Sequence, residues 1–331
     1  MKKNNGFILL ILVLLLSACA TKQVAVQARF PAGYPEAAQL QKISVLDFQG
    51  TDGASFANQL TAELKAADLD GQLLFSVISQ DVIKAGSSIR STTGAKNLSA
   101  AMKYGRRLGV QGIYYGDVSP MTVNTRSWQE DRTKCLEYKS FMKCKKEQKY
   151  KVNCYEQSAS YSAQPKLVNI KTGSVVYTES VSSAVANKYC TDKGRQFSRE
   201  ELAAYLRAEV AKKVRRKVAP YNDVFNVQLK DDAKGLSAVA EEKFEGGLAF
   251  SEAGQMDRAC AIWQELSATV PASNKNISLL YNLGVCAEVV ADYDRALELY
   301  SKADSMLTAP DKVISGARER ALKLKANQSS I

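Results

Sequence analysis

The sequence contains no histidine among its 331 residues. Histidine is the commonest general base and a frequent zinc ligand, so Ser-His-Asp catalysis, Cys-His catalysis and histidine-based zinc sites are excluded. The chain also lacks GxxxxGK[ST], a GxGxxG after a strand, GxSxG and clustered carboxylates with metal-ligand spacing. Asp47, at the end of a predicted strand, is more typical of a turn than of a catalyst. We therefore expect a protein that is not an enzyme and that uses no metal and no cofactor.

Cysteine is sparse, and no CxxC pair occurs among the seven. A structural zinc or thioredoxin-like site is therefore a weak interpretation. Apart from Cys19, the cysteines fall into a group of four and a group of two, and an oxidising compartment would favour disulfides. Spacing leaves three connectivities open in the first group, and the alternative in the second is a pair of small buried thiols. The disulfide candidates are Cys135, Cys144, Cys154, Cys190, Cys260 and Cys286.

Long apolar runs are rare, and the most pronounced one lies near the start, at residues 7–19, after Lys2 and Lys3. It is about half as long as a bilayer span requires, which indicates a secretory signal rather than a membrane helix. Its last four letters, LSAC, end at Cys19. This order resembles the lipobox of bacterial lipoproteins, in which cleavage precedes the cysteine and acyl chains such as palmitate are attached to it.

The lipobox resemblance implies a signal peptide at residues 1–18 and a lipid anchor with a tether at 19–41. Several acyl chains would give stable anchoring, where one binds only marginally. Ala20 after the cysteine is similar to the pattern of lipoproteins sent to the outer membrane of Gram-negative bacteria, with the body at the periplasmic face. The alternative is ordinary signal cleavage, since Ala18-Cys19-Ala20 has the small-x-small form.

The formal charge is +11. Removal of the signal would take away two lysines and leave +9. In an envelope compartment, a basic surface faces anionic lipid, anionic glycan or acidic protein, so nucleic acid is not an expected partner.

From residue 42 the hydrophobic pattern predicts an α/β fold. Ile43 and Val45 alternate with polar neighbours as in a strand, and Phe56, Leu60 and Leu64 recur every four residues as in a helix. We expect a mixed sheet flanked by helices over residues 42–221.

Four segments in this region are similar, in order and spacing, to the periplasmic α/β domain of the curli-secretion lipoprotein CsgG family. They are ISVLDF at 43–48, LLFSVISQDVI at 73–83, YGRRLGVQGIYYGDV at 104–118 and LVNIKTGSVVYTE at 167–179. The resemblance implies a possible homo-oligomer and two alternative functions. One is a subunit of an oligomeric secretion channel, and the other, drawn from a related domain, is an activator of a peptidoglycan synthase.

The sequence departs from that family near residues 122–155. Channel-forming members carry apolar hairpins there, whereas this chain is rich in lysine, and charges facing lipid cost about 2 to 4 kcal/mol each at mid-membrane. We therefore expect a non-pore relative with a basic, disulfide-linked hairpin. It is either a docking patch for an anionic partner or a solvated edge whose lysines prevent strand pairing. The lysines are Lys139, Lys143, Lys145, Lys146, Lys149 and Lys151, of which Lys143, Lys145 and Lys146 are partner-binding candidates.

A second basic group lies near the end of a predicted helix that begins at the capping box of Ser198 and Glu201. One interpretation is favourable interaction with the helix C-terminus, and the other is contact with lipid phosphate or an acidic protein. The partner-binding candidates here are Lys212, Lys213, Arg215 and Arg216.

Residues 231–326 repeat with a period of 37. The segments GLAFSEAGQMDRACAIW and GVCAEVVADYDRALELY align with each other and resemble two tetratricopeptide repeats, at about 240–273 and 277–310, with a capping helix after them. This resemblance implies a small all-α solenoid whose groove binds a protein partner. The alternative is that the repeats only brace the α/β domain. Together these patterns favour a non-catalytic outer-membrane lipoprotein that acts as an adaptor or scaffold in envelope assembly or secretion.

Overall fold

The computed structural model describes residues 22–79, 95, 97–140, 143–271 and 276–329. The predicted signal peptide and Cys19 lie outside them. The chain divides into two compact units, an α/β unit at Ala32–Tyr221 and a helical unit drawn from Met1–Pro31 and Asn222–Ile331. The predicted class, a mixed α/β sheet with C-terminal helices, is confirmed. No helix within the described ranges is long and apolar enough to cross a membrane.

The first two thirds of the chain hold one strand of the helical unit and then the α/β unit. The elements are β1 (Gln23–Phe30), α1 (Pro35–Ala38), β2 (Lys42–Val45), α2 (Gly53–Lys65), β3 (Asp68–Leu69), β4 (Gln72–Leu73), β5 (Ser76–Ile78), α3 (Leu98–Leu108), β6 (Gly112–Val118), β7 (Thr122–Ser140), β8 (Lys143–Asn169), β9 (Val175–Thr178), β10 (Val181–Cys190) and α4 (Arg199–Val218).

The main sheet of the α/β unit has the order β5-β2-β6-β8-β10. β2 is parallel to β5 and β6, and β8 is antiparallel to β6 and β10. Neighbouring residues of β6 face opposite sides of the sheet, as the strand pleat requires. Tyr114 packs in the core formed with α2 and α4, whereas Ile113 packs in the core on the side of α3. The unit therefore has three layers, with the sheet in the middle.

Helix α4 begins as the sequence predicts. The Ser198 hydroxyl accepts from the Glu201 backbone N–H, and the Glu201 carboxylate accepts from the Ser198 backbone N–H. Hydrogen bonds from Arg195 and then from Ser198 lower the pKa of Glu201 to about 2. The apolar side chains of α4 are buried in the core beside the sheet, so this helix covers one face of the sheet.

Among its described residues, the helical unit has five helices and a strand that pairs with β1. The elements are β11 (Tyr221–Gln228), α5 (Ala238–Glu252), α6 (Met256–Thr269), α7 (Ile277–Val289), α8 (Tyr293–Ser305) and α9 (Lys312–Gln328).

The 37-residue period corresponds to a repeated close contact. A Cβ on Gly247 would lie 2.2 Å from the Trp263 indole nitrogen, and a Cβ on Gly284 would lie 2.4 Å from the Tyr300 ring. Both rings are fully buried. Each helix pair therefore needs glycine where the aromatic ring of its second helix rests on the first.

Two segments that we expected to be irregular are strands. Most of the predicted tether at 19–41 is ordered, since β1 and α1 lie within it, and β11 covers most of the interval between the predicted α/β domain and the predicted repeats, which we expected to be a linker. Val24, Val26 and Val227 are buried in the core of the helical unit. Their period-two spacing was present in the sequence, and it specifies strands with one buried face.

Candidate interaction surfaces

The most distinctive feature of the α/β unit is a long two-stranded ribbon. β7 and β8 pair along their length, from Thr122 opposite Ser160 to Ser140 opposite Lys143. β10 covers the other edge of β8 only as far as Cys154. Beyond Cys154 the ribbon, defined here as residues 129–140 and 143–153, has no third strand among the described residues. Its β8 strand extends about 35 Å at about 3.3 Å per residue.

Disulfides close both ends of this ribbon. Cys154 bonds to Cys190, its register partner at the end of β10, where the sheet narrows to two strands. Cys135 bonds to Cys144 near the outer end. The third disulfide, Cys260–Cys286, joins α6 to α7. The expectation of disulfides is confirmed, and the structure selects one of the three connectivities that spacing left open.

The root of the ribbon has a group of potential metal ligands that cannot act together. The carboxylate of Glu130 and the sulfurs of Cys154 and Cys190 lie within 4.8 Å of one another. Because the two sulfurs are bonded to each other, neither is a thiolate, and cysteine binds zinc as the thiolate. We assign no metal site here.

The outer half of the ribbon is strongly basic. Residues 132–151 contain eight lysines or arginines and two glutamates. Lys143, Lys145 and Lys146 come together at its outer end and are exposed. Lys145 forms an ion pair of 2.6 Å with Glu137, and both side chains are more than half exposed. Exposed pairs of this kind contribute little to stability. The pair also offsets only one of the eight positive charges, so most of the positive charge faces solvent.

Exposed apolar side chains accompany these lysines. Leu136 is 50% exposed and Tyr138 is 67% exposed, although both lie close to the Cys135–Cys144 disulfide. On the inner part of the ribbon, Tyr150, Val152 and Cys154 share one face, as the spacing predicts, and Val152 and Cys154 are buried. The outer end thus combines positive charge with unburied apolar surface.

The basic residues of α4 are placed differently from those of the ribbon. The Lys213 ammonium donates to the Ser182 carbonyl at 2.7 Å, and Lys217 pairs with Glu179 at 3.1 Å. Arg216 lies over the ring of Tyr221. Arg215 is half-buried, and Lys212 is exposed. Most of this group therefore contacts its own unit. The group is also distant from the ribbon lysines, because Ser183, next to the Ser182 that Lys213 contacts, pairs with Tyr161, about fifteen residues along β8 from Lys146.

The helical unit holds a segment of its own chain as it would hold an extended peptide. The Asn282 side chain accepts from the Lys230 backbone N–H at 3.0 Å and donates to the Lys230 carbonyl at 2.8 Å. Asn276 donates to the carbonyls of Asp232 and Lys234. The Tyr281 hydroxyl donates to the carbonyl of Gln228, completing the contacts from α7 and its N-cap.

An ion pair fixes the side chain of the same segment. The Lys230 ammonium lies 2.7 Å from the Asp311 carboxylate, and both side chains are mostly buried. Burial alone would raise the pKa of Asp311, but hydrogen bonds from Lys230 and from the backbone N–H groups of Ile314 and Val313 lower it. We predicted that the groove of the helices would bind a protein partner. That stays a prediction, and the contacts described here show only that these side chains bind residues 228–234 of the chain itself.

A second cleft of about 680 Å³ lies elsewhere in the helical unit. Its lining includes the Cys260–Cys286 disulfide, Met256, Leu299 and Val290, which is 73% exposed. These residues are mainly apolar, and no charged side chain lining the cleft is deeply buried. The cleft therefore offers contact area but no reactive group.

Buried titratable groups of the helical unit form a structural network. Glu288 is fully buried and accepts two hydrogen bonds from Arg320 and one from the Tyr300 hydroxyl. Burial raises the pKa of Tyr300, and the neighbouring carboxylate raises it further. Burial opposes the charge of Arg320, but its bonds to Glu288 raise its pKa overall. These hydrogen bonds join α7, α8 and α9 through the side chains of Glu288, Tyr300 and Arg320.

Comparison with known proteins gives fold-level similarities of low score. No family model matches the sequence, and no curated protein matches it. A PelC dodecamer from Paraburkholderia phytofirmans is 16% identical over 59% of this chain and 98% of its own, with a TM-score of 0.27. The hypothetical protein CT253 from Chlamydia trachomatis is 10% identical over 54% and 98%, with a TM-score of 0.29. Lipoprotein GNA1162 from Neisseria meningitidis is 15% identical over 52% and 95%, with a TM-score of 0.27. At these scores the similarities assign neither a family nor a function, and the resemblance to CsgG stays a prediction.

Proposed function

We propose that this chain is a non-catalytic lipoprotein of the outer membrane, anchored through Cys19 at the periplasmic face, and that it acts as an adaptor or scaffold in envelope assembly or secretion. The observation that carries the proposal is the ribbon. It is cationic, held by disulfides at both ends, and projects from the sheet with no third strand among the described residues. Disulfides persist in an oxidising compartment, which agrees with export.

The ribbon supports binding rather than catalysis. Its lysines and arginines attract an anionic partner, while its ladder of hydrogen bonds and its disulfides keep their spacing fixed before contact. The self-occupied face of the helical unit supports the same conclusion, because its asparagines already bind the chain. The proposed partner therefore meets the ribbon first.

A photo-reactive amino acid in place of Tyr138 tests the proposal in living cells. We expect adducts with one envelope component, identified by mass spectrometry. The matched control is the same substitution at Tyr205 on α4, which is 54% exposed, and we expect it to give none. Equal labelling at both positions, or none at Tyr138, would count against the ribbon as the docking site.

The same experiment separates the two alternatives from the CsgG resemblance. Adducts with a second copy of the chain would favour an oligomeric channel subunit, and adducts with a peptidoglycan synthase would favour an activator. Palmitate labelling, with Cys19→Ala as the control, tests the anchor independently. An unlabelled protein recovered in the soluble fraction would remove the anchored part of the proposal.

A further inference from the structure

The outer end of the ribbon exposes apolar groups that no packing in the fold explains. Leu136 and Tyr138 are half or more exposed, and neither belongs to any of the four hydrophobic clusters of the described residues. The lysines at 139, 143, 145 and 146 follow them in the sequence and are exposed as well. Solvated lysines alone would suffice to block edge pairing, so the apolar side chains need another account.

Size and chemistry together favour a lipid surface over a protein. A stable protein interface buries about 800 Å² on each partner, whereas the exposed apolar surface described at the outer end comes from two side chains, Leu136 and Tyr138. A bilayer surface requires less, because a few apolar side chains enter the boundary between headgroups and acyl chains while lysines meet the phosphates.

We propose that the outer end of the ribbon docks on an anionic phospholipid surface, with Leu136 and Tyr138 entering the headgroup region. This inference rests on the proposed function, which puts the chain at a membrane. Lysines on both faces of the ribbon keep it at headgroup depth, since burying an ammonium in the acyl region is costly. The Cys135–Cys144 disulfide keeps the two strands paired as the end meets the surface.

The expected electrostatic share is large enough to measure. A lysine near an anionic surface contributes about fivefold in affinity, which corresponds to about 1 kcal/mol. Reversal of Lys143, Lys145 and Lys146 to glutamate should therefore weaken engagement at least 100-fold.

The test uses the full lipidated chain in vesicles of phosphatidylcholine, with and without phosphatidylglycerol. Tyr138→Trp reports contact through quenching by phospholipids brominated in the upper acyl chain, measured as the difference from the parent with its two tryptophans. Val239→Trp, at a site on α5 that is 69% exposed, is the matched control. A second control reverses Lys234, Lys312 and Lys323 of the helical unit instead of the ribbon lysines.

The proposal predicts quenching of Tyr138→Trp only with phosphatidylglycerol, no added quenching of Val239→Trp, and loss of the signal on reversal of the ribbon lysines but not of the control lysines. A chain that floats with both vesicles while Tyr138→Trp stays unquenched overturns the docking and leaves the anchor intact. Binding of the ribbon to polyglutamate, with Tyr138→Trp unquenched by the vesicles, would also overturn the docking and would assign the surface to an acidic protein. Flotation only with anionic vesicles supports the docking and overturns the anchor.

Discussion

At the scale of single residues, the helical unit depends on a few buried polar contacts that replace water. The contacts of Glu288 matter most, because its carboxylate is fully buried and its hydrogen-bond donors are Arg320 and Tyr300. Removing one partner of a buried pair leaves an uncompensated charge, which costs far more than breaking an exposed pair.

We expect Arg320→Ala to lower the free energy of unfolding by about 3 to 5 kcal/mol, because Glu288 would be left buried without its cation. Urea unfolding followed by circular dichroism measures it. Arg318→Ala is the control, since Arg318 pairs with Asp304 on a more exposed surface, and we expect a loss of at most about 1 kcal/mol. Equal losses in the two variants would contradict the network.

We expect Asn282→Ala to cost about 2 to 5 kcal/mol, because the N–H and the carbonyl of Lys230 would both lose their partner in a buried setting. The exposed Asn226→Ala should change stability by less than about 0.5 kcal/mol. A thermal or urea unfolding series compares them. An unchanged Asn282→Ala protein would mean that residues 228–234 are not held as described.

Asp311→Asn keeps an N-cap side chain for α9 but removes the ion pair with Lys230. The folded pKa of Asp311 is lowered, so its contribution is fully present above the unfolded value of about 3.9 and is lost as the pH falls through the folded pKa. We therefore expect the variant to be less stable than the parent at pH 7 and the gap to shrink below about pH 4. A gap that stays constant from pH 7 to the acid limit would disprove this linkage.

At the scale of secondary-structure elements, the two disulfides of the ribbon differ in what surrounds them. Cys154 is fully buried where β7, β8 and β10 meet, whereas Cys135 and Cys144 are only half-buried and lie toward the outer end. The outer disulfide should therefore govern local opening of the ribbon rather than global stability.

Replacing Cys135 and Cys144 by serine should leave the main unfolding midpoint nearly unchanged and should speed amide hydrogen exchange near the outer end. Replacing Cys260 and Cys286 by serine should instead cost about 2 to 4 kcal/mol, since that bond joins two core helices. Exchange mass spectrometry and urea unfolding make the comparison. A large global loss in the first variant would mean that the ribbon end is part of the core.

The ribbon and the two strands of the helical unit show what the sequence can specify. Lysine-rich alternation and paired cysteines predicted a basic hairpin at 122–155, and the structure has one. β1 and β11 were missed because their short period-two patterns lay beside prolines and polar residues that suggested linkers. The contacts of α7 with residues 228–234 could not be predicted, since Asn282 and Lys230 lie 52 positions apart in the sequence and their pairing depends on the path of the chain between them.

At the scale of the whole molecule, positive charge is common but only part of it is available to a partner. The α4 cations contact Ser182, Glu179 and Tyr221 of their own unit, whereas the ribbon lysines face solvent. Counting lysines and arginines in the sequence could not separate these two sets. The structure separates them, and this separation is why we propose the ribbon as the interaction surface.

The most direct test of that assignment is lysine footprinting with an amine-reactive reagent, in intact envelopes and on the purified protein. We predict that Lys143, Lys145 and Lys146 react at least fivefold more slowly in envelopes than when purified, while Lys234 and Lys323 of the helical unit change little. Equal protection of the two sets, or none at the ribbon, would contradict the account.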